Sequence, residues 1–268
     1  MPKIEKQSQS SFSFIAELSS WDGEFRTKKG TQVDHVYPSL KKLSEMKKID
    51  REGAKFLKDS IRYEIDRFEA IIEDSEKLTK ILYNKKQNEI DILSFVDFII
   101  LQELFKNVDG YRRSAYFQKK QNGMISMGPL WDFNLAMGNL SFYDMDKPFQ
   151  WLHKQHHFLI RNAFWFKDFV NNKTFRNILI ARYKELRKDG GDLSVEKILS
   201  LVDHKFKSLK GAPERDYNRW KDTGTFITKY IFVTEEKGFN AHDHKEVLKN
   251  WLGRRITWMD GNLHEIHK

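Results

Sequence analysis

Residues 111–130, YRRSAYFQKKQNGMISMGPL, carry the local pattern that decides the fold. Two runs suited to strands, Tyr111–Gln118 and Met124–Leu130, flank the short polar stretch Gln121-Asn122-Gly123. Asn-Gly is the dipeptide most typical of a tight hairpin turn, because both residues accept a positive φ. The sequence therefore predicts a β-hairpin with its tip at Asn122-Gly123.

Helical patterns lie on both sides of this hairpin. The segment from about Glu89 to Lys106 is apolar nearly all round, which is typical of a helix inside the core. A second helix is expected from an N-cap at Asp50 to about Asp74, with its apolar residues on one face. Shorter segments add a strand at Phe14–Leu18 and helices at about Thr174–Arg187, Ser194–Leu209 and Lys245–Met259. The predicted fold class is α+β and predominantly α-helical, with a central β-hairpin.

The composition excludes several classes of protein. The chain has 268 residues and no cysteine, so a disulfide scaffold, a zinc knuckle and a cysteine nucleophile are ruled out. Aromatic residues make up 14%, enough apolar bulk for a core. The most apolar run, Ile90–Phe105, is interrupted by Asp91, Asp97 and Glu103, so no membrane span is expected. The first residues, MPKIEKQSQSS, lack the apolar region of a signal peptide, and the localisation stays open.

The excess of positive charge is spread along the chain. Lys+Arg number 47 against 38 Asp+Glu, a net charge of +9, and the lysines occur mostly in pairs separated by acidic residues. Proteins that bind nucleic acid typically have one continuous basic patch with exposed aromatics. The dispersed lysine pairs therefore disfavour a nucleic-acid partner. A basic surface equally suits an anionic ligand such as a nucleotide.

Two aspartates are expected at the open end of the hairpin. Asp109 precedes the first strand and Asp132 follows the second, so the hairpin would bring the two carboxylates together. Paired acids suit a division of labour in which one orients a hydroxyl and the other holds a divalent cation. Asn134 and Asn139 supply further oxygen donors nearby. The alternative is structural: Asp109 would belong to an ordinary turn and Asp132 would cap a helix at Phe133–Met137.

Three other features have a chemical and a structural interpretation. His153, His156 and His157 have the spacing of ligands on one helix face, or form a solvated face. The turn Lys28–Gly30 could reach phosphates, or is an exposed loop. Trp131 is expected to be a core anchor rather than a stacking platform.

Three motifs resemble those of a known family. They are ELFKNVDGY at Glu103–Tyr111, SAYF at Ser114–Phe117 and, most specifically, GPLWDFNLAMGN at Gly128–Asn139. They look like the core motifs of the CotH kinase family, atypical protein kinases named for a spore-coat protein. The resemblance covers roughly residues 14–262 as a single domain, with a disordered tail at 1–13 and a short tail at 263–268.

The resemblance implies a kinase-like C-terminal lobe that phosphorylates Ser/Thr of a protein substrate with ATP and Mg²⁺ or Mn²⁺. Asp109 matches the family's catalytic aspartate and Asp132 its metal-binding aspartate, in line with the general kinase scheme. Asn134 stands where the family often has a second acid, and Ser114 where it often has an asparagine. Both are therefore candidate metal ligands.

Three residues flank the expected site. Arg112, Arg113 and Asn107 are candidates for the vicinity of the nucleotide or the substrate. In a strand, Arg112 and Arg113 would point to opposite faces, so only one would turn toward the site.

The family's upstream lobe, with its lysine for the ATP phosphates, has no counterpart before Phe14. Three explanations stay open: the chain is part of a longer product, another polypeptide supplies the lobe, or catalysis is lost. In the last case the chain is an inactive binding or structural module. The resemblance also suggests a spore-coat or exported protein.

Overall fold

The computed structural model describes residues 12–19, 23–84, 89–140, 144–154, 164–220 and 241–267. It is 59% helical with one small antiparallel sheet, which confirms the predicted α+β, mainly helical class. The chain divides into two compact units that alternate along the sequence. The first lies within Met1–Ile99, Asp109–Trp131 and Phe158–Asn177, and the second within Ile100–Val108, Asp132–His157 and Ile178–Lys268.

The sheet belongs to the first unit and has five strands. They are β1 (Phe14–Leu18), β2 (Phe25–Arg26), β3 (Gln32–Tyr37), β4 (Ala115–Lys119) and β5 (Ile125–Met127), in the order β2-β3-β1-β4-β5. All pairs are antiparallel, and β1 lies in the middle, with Leu18 opposite Val33 on one side and Ala16 opposite Phe117 on the other. The predicted strand at Phe14–Leu18 is confirmed.

The β4–β5 hairpin forms where the Asn-Gly step predicts it, at one edge of the sheet. The amide of Gly123 donates to the carbonyl of Lys120 at 2.9 Å, and Asn122 has φ 56°. Gly123 does not take a positive φ, so only one of the two residues uses the conformation expected of both. The strands are also shorter than predicted. Residues 111–114 form turns because Asp109 accepts backbone hydrogen bonds there, and β5 ends just before Gly128-Pro129.

Helices α1 (Leu40–Ile49), α2 (Arg51–Glu73) and α3 (Ser75–Tyr83) follow β3 along the chain. The bounds of α2 confirm the prediction: Asp50 caps it through the amide of Gly53 at 2.8 Å, and Asp74 ends it. Asp74 also caps α3 with its side chain. Helices α1 and α3 were not predicted.

Helix α4 (Ile92–Phe105) is the apolar helix of the sequence, slightly shorter than expected. Its first half belongs to the first unit, where Phe95 packs against Phe68 and Phe169 at centroid distances of 5.4 and 5.0 Å. Trp165 lies edge-on to Phe68 at 4.9 Å. The aromatic core of the first unit is thus built from α2, α4 and α5 (Phe164–Asn171), another helix that was not predicted.

The second unit contains α7 (Val195–Ser208), α8 (Ala212–Trp220) and α9 (Ala241–Asn262), together with most of α6 (Lys173–Arg187). Three of these confirm predicted helices, and α8 was missed. Beyond Asn262, where the sequence suggested a tail, a 3-10 helix at Leu263–Glu265 follows, and Leu263 and Ile266 are buried. Within the described ranges, no helix has both the length and the apolarity to cross a membrane.

Candidate functional site

Asp109 lies in the turn after α4 and is only 4% exposed. Its Oδ1 accepts three guanidinium hydrogen bonds, from Nε and Nη2 of Arg112 at 3.0 and 2.6 Å and from Nε of Arg113 at 2.9 Å. The expectation that the two arginines point to opposite faces is wrong. Because residues 111–114 form turns instead of a strand, both side chains reach the same carboxylate.

The two arginines differ in their access to solvent. The Arg112 side chain is 9% exposed and that of Arg113 is 41% exposed. Ser114 follows with φ 52° and donates its amide to Oε1 of Glu17 in β1 at 3.0 Å. Asp109, the arginines and Ser114 are therefore fixed by the first unit itself.

Asp132 belongs to the second unit and is exposed. It has φ 61°, and its carbonyl accepts a hydrogen bond from Nδ2 of the buried Asn107 at 3.4 Å. Residues 133–138 form turns, so the alternative that Asp132 caps a helix at Phe133–Met137 is wrong. Asn134 is exposed and its carbonyl accepts from Nδ2 of Asn139 at 2.7 Å.

Trp131, which precedes Asp132, is 61% exposed and so is not the core anchor that the sequence suggested. The strand β5 has already ended at Met127, and the chain leaves the sheet before it reaches this tryptophan.

The turns after Asp132 are held by the end of α4 and by α9. The amide of Met137 donates to the carbonyl of Phe105 at 2.7 Å. Gly138 has φ 85°, and a Cβ at this position would lie 2.6 Å from Cδ1 of Trp251. Nε1 of Trp251 in turn donates to the carbonyl of Asp146 at 2.7 Å. The close approach of the indole ring explains why a glycine stands at this point of the motif.

A buried polar network underlies the same region of the second unit. Glu103, at the end of α4, binds Nδ1 of His153 through Oε1 at 2.7 Å and the amide of Leu152 through Oε2 at 2.6 Å. Burial alone would raise the pKa of Glu103, but His153 and Arg255 outweigh it and lower the pKa. The other ring nitrogen of His153 meets the carbonyl of Ile266 at 2.8 Å.

This network bears on the three histidines. A carbonyl oxygen only accepts, so Nε2 of His153 carries a hydrogen, and both ring nitrogens are used inside the protein. His153 therefore presents no lone pair to a metal in this arrangement. His156 and His157 lie outside the described residues.

Arg255 and Lys106 complete the network by donating to backbone carbonyls. Arg255 is fully buried and binds the carbonyls of Glu103, Pro148 and Gln150. Nζ of Lys106, 1% exposed, donates to the carbonyls of Asp144 and Lys147 at 2.6 and 2.7 Å. Burial, with a smaller contribution from Arg255, lowers the pKa of Lys106 to about 7.

Sequence reasoning missed these buried groups, although one signal was present. Glu103 near the C-terminal end of the mainly apolar α4 and Lys106 directly after it are charged residues, and buried charges of this kind are held by specific partners. The turn Lys28–Gly30 is also explained by packing. Lys29 forms a salt bridge with Glu73, and the amide of Lys28 donates to Oδ1 of Asp66 at 2.8 Å.

The described part of the chain contains no group of three or more His, Asp or Glu side chains arranged to hold a metal. Asp109 and Asp132 fall in different units, and their approach to each other remains a prediction. So do the roles of Ser114, Asn134, Arg112, Arg113 and Asn107.

Comparison with known proteins gives one match. A family model described as CotH kinase protein matches residues 22–259, which is most of the chain. No curated protein and no solved structure matches it.

Proposed function

The chain belongs to the CotH kinase family, and from this premise we propose that it transfers the γ-phosphate of ATP to Ser or Thr hydroxyls of a protein substrate. The family match carries the proposal, since residues 22–259 include both aspartates that the motifs single out. We assign Asp109 to the substrate hydroxyl and Asp132 to the divalent cation.

Asp109 is suited to orienting a hydroxyl because three guanidinium hydrogen bonds fix its carboxylate. In the proposed step the substrate oxygen bonds to the γ-phosphorus while the bond from phosphorus to the ADP oxygen breaks. The hydroxyl proton passes to the Asp109 carboxylate, and ADP leaves with the bonding electrons. Arg113, the more exposed of the two arginines, lies on the side open to solvent and is the one that would meet the nucleotide or an acidic substrate.

The donors around Asp132 fit a hard divalent cation. Asp132 and Asn134 offer a carboxylate and an amide oxygen, both exposed in one short segment. Mg²⁺ keeps several water ligands, so it needs only a few protein oxygens. When bound with ATP, such an ion neutralises phosphate charge. Asp109, already bound to two guanidinium groups, is less suited to hold it.

One observation favours a second candidate function, a catalytically inactive binding or structural module. A buried aspartate neutralised by two arginines is also what a purely structural ion pair looks like. In that case Asp109 would fix the turn after α4 and carry no chemistry.

Thermal unfolding with and without Mg²⁺ and ATP separates the two candidates. At about 100 times its Kd a ligand stabilises by about 2.7 kcal/mol, so the native chain should melt several degrees higher. Asp132→Ala should abolish this shift, and Asp192→Ala, which removes an exposed aspartate elsewhere in the same unit, should keep it. No shift of the native chain at millimolar nucleotide would favour the inactive module.

A second variant tests the division of roles. Asp109→Asn should retain the nucleotide-dependent shift and lose radiolabel transfer from ATP to a Ser/Thr-rich peptide. If binding and transfer disappear together while the variant stays folded, Asp109 is not specific to the hydroxyl.

A further inference from the structure

Helix α2 exposes four basic side chains in one line. Arg51, Lys55, Lys58 and Arg62 are each exposed, and their spacing of three and four residues places them on one side of the helix. We call this line the basic stripe. At 1.5 Å per residue it is about 16 Å long.

The basic stripe stands out among the described residues by its lack of salt bridges. Within the ranges that the structure describes, none of its four cations forms a salt bridge, and Arg62 lies over the ring of Phe25 at 5.1 Å. Other cations of the same unit do have carboxylate partners, for example Lys29 with Glu73 and Lys77 with Asp74. Like charges three and four residues apart repel one another in a helix, and Glu52 and Asp59, at the same spacings from Lys55, offset part of this repulsion. Packing of the first unit gives no reason for this arrangement.

A second line of side chains runs beside the stripe on the outer face of α2. Phe56 and Tyr63, about two turns apart, are 68% and 60% exposed. Glu52 and Asp59 alternate with them on the same line and are also exposed. The surface therefore combines a narrow row of cations with exposed aromatic rings and two carboxylates.

The narrowness of the basic stripe indicates which kind of partner it can bind. A nucleic-acid duplex or an anionic membrane presents a broad negative surface, which would meet Glu52 and Asp59 as well as the cations. A single helical segment can place its carboxylates on the stripe and its apolar side chains on the rings of Phe56 and Tyr63. We propose that the basic stripe of α2 docks an acidic, amphipathic segment of a protein partner. The proposal lies within the first unit and is independent of whether the chain transfers phosphate.

His35 provides a reporter beside the stripe. Burial lowers the pKa of His35, Glu24 raises it through a hydrogen bond and its charge, and Lys58 and Arg62 lower it further. An acidic segment bound on the stripe would offset these two cations. The pKa of His35, followed by NMR, should then rise when the segment binds.

The direct test is fluorescence anisotropy with a labelled peptide. It should be about as long as the stripe, with Glu at the same helical spacing and Leu on the adjoining line. We expect saturable binding that weakens as salt is added, and much weaker binding of the same peptide with Gln in place of Glu. A short DNA duplex and phosphatidylglycerol vesicles test the other two partner classes.

Two charge-reversal variants locate the binding. Lys55→Glu with Lys58→Glu should weaken peptide binding about tenfold or more. Lys184→Glu with Lys188→Glu reverses two exposed lysines that form no salt bridge in the described chain, and should change binding less than about twofold. The neutral pair Lys55→Gln with Lys58→Gln replaces the first variant if that one unfolds. Equal binding by stripe and control variants, no binding by the native chain, or stripe-dependent binding of DNA or vesicles instead would overturn the proposal.

Discussion

Replacing Arg112 by alanine should destabilise the protein several times more than replacing Arg113, although both guanidinium groups bind the same oxygen of Asp109. Arg112 supplies two of the three hydrogen bonds to Oδ1 and its side chain is 9% exposed. Arg113 supplies one hydrogen bond and is 41% exposed.

The expected loss of folding free energy depends on which hydrogen bonds to Asp109 each variant keeps. Without Arg112, a carboxylate with a side chain 6% exposed loses two of its guanidinium hydrogen bonds and keeps the one from Arg113, and breaking a buried ion pair typically costs 3–5 kcal/mol. Since Arg113 still compensates in part, we expect about 3 kcal/mol. Without Arg113, a half-exposed ion pair is lost while Arg112 stays in place, and such pairs are worth about 1 kcal/mol or less.

Thermal unfolding followed by circular dichroism measures the difference. At about 2–4 °C per kcal/mol for a chain of this size, Arg112→Ala should melt roughly 6–12 °C lower and Arg113→Ala no more than about 4 °C lower. If Asp109 has the proposed catalytic role, Arg113→Ala should also reduce phosphoryl transfer beyond what its small loss of stability explains. Equal destabilisation, or a larger effect of Arg113→Ala, would refute the assignment of Arg112 as the structural partner.

Three further changes test other parts of the structure. Because burial holds the pKa of Lys106 at about 7, well below its unfolded value, its charge opposes folding at neutral pH and the penalty falls as pH rises. The native chain should therefore gain roughly 2 kcal/mol relative to Lys106→Met between pH 7 and 9, measured by urea unfolding; no difference in slope would contradict the burial of a protonated amine. Gly138→Ala should lower stability by about 2 kcal/mol or more, because the added Cβ meets Trp251, whereas Gly190→Ala, also at positive φ but in open space, should cost only about 1 kcal/mol; similar melting shifts would exclude the steric explanation. Burial raises the pKa of Glu69, so Glu69→Gln should become more favourable relative to the native chain as pH rises above the unfolded pKa, and a pH-independent difference would show that this carboxyl titrates normally.

The parts of the fold that were predicted from sequence are those with local physical causes. Helix α2 has an N-cap at Asp50 and an apolar face that runs to Ile72, so its bounds followed directly. The hairpin turn followed from Asn122-Gly123. Both signals act within a few residues, which is why a single sequence is enough to detect them.

The sheet order could not be predicted because it depends on pairing between distant segments. Strand β1 lies between β3 and β4, which are separated by the 77 residues 38–114, and no local pattern encodes this choice. The missed helices have different causes. Helix α1 buries only Leu43, so its periodic signal is weak, and α3 is short.

The sequence identified the residues of the candidate site but not the contacts that surround them. The motifs single out Asp109 and Asp132, but nothing in them indicates that Arg112 and Arg113 both bind Asp109. That convergence arises because the backbone amides of both arginines bind the carbonyl of Asp109 at 3.0 Å, which turns the chain where a strand was expected. Strand periodicity gives the wrong geometry wherever a tight turn replaces the strand.

The buried cations of the second unit have a common physical explanation. Residues 144–150 are irregular, so their carbonyls lack partners within a helix or sheet and need donors from elsewhere. Lys106, Arg255 and Trp251 supply them, binding five carbonyls of this segment between them. Two of these donors carry charge, and burying a charge is tolerated only when its hydrogen bonds are made. The conformation of the segment and the burial of the charges therefore depend on each other, so an apolar substitution at Arg255 should disorder the segment rather than simply leave a cavity.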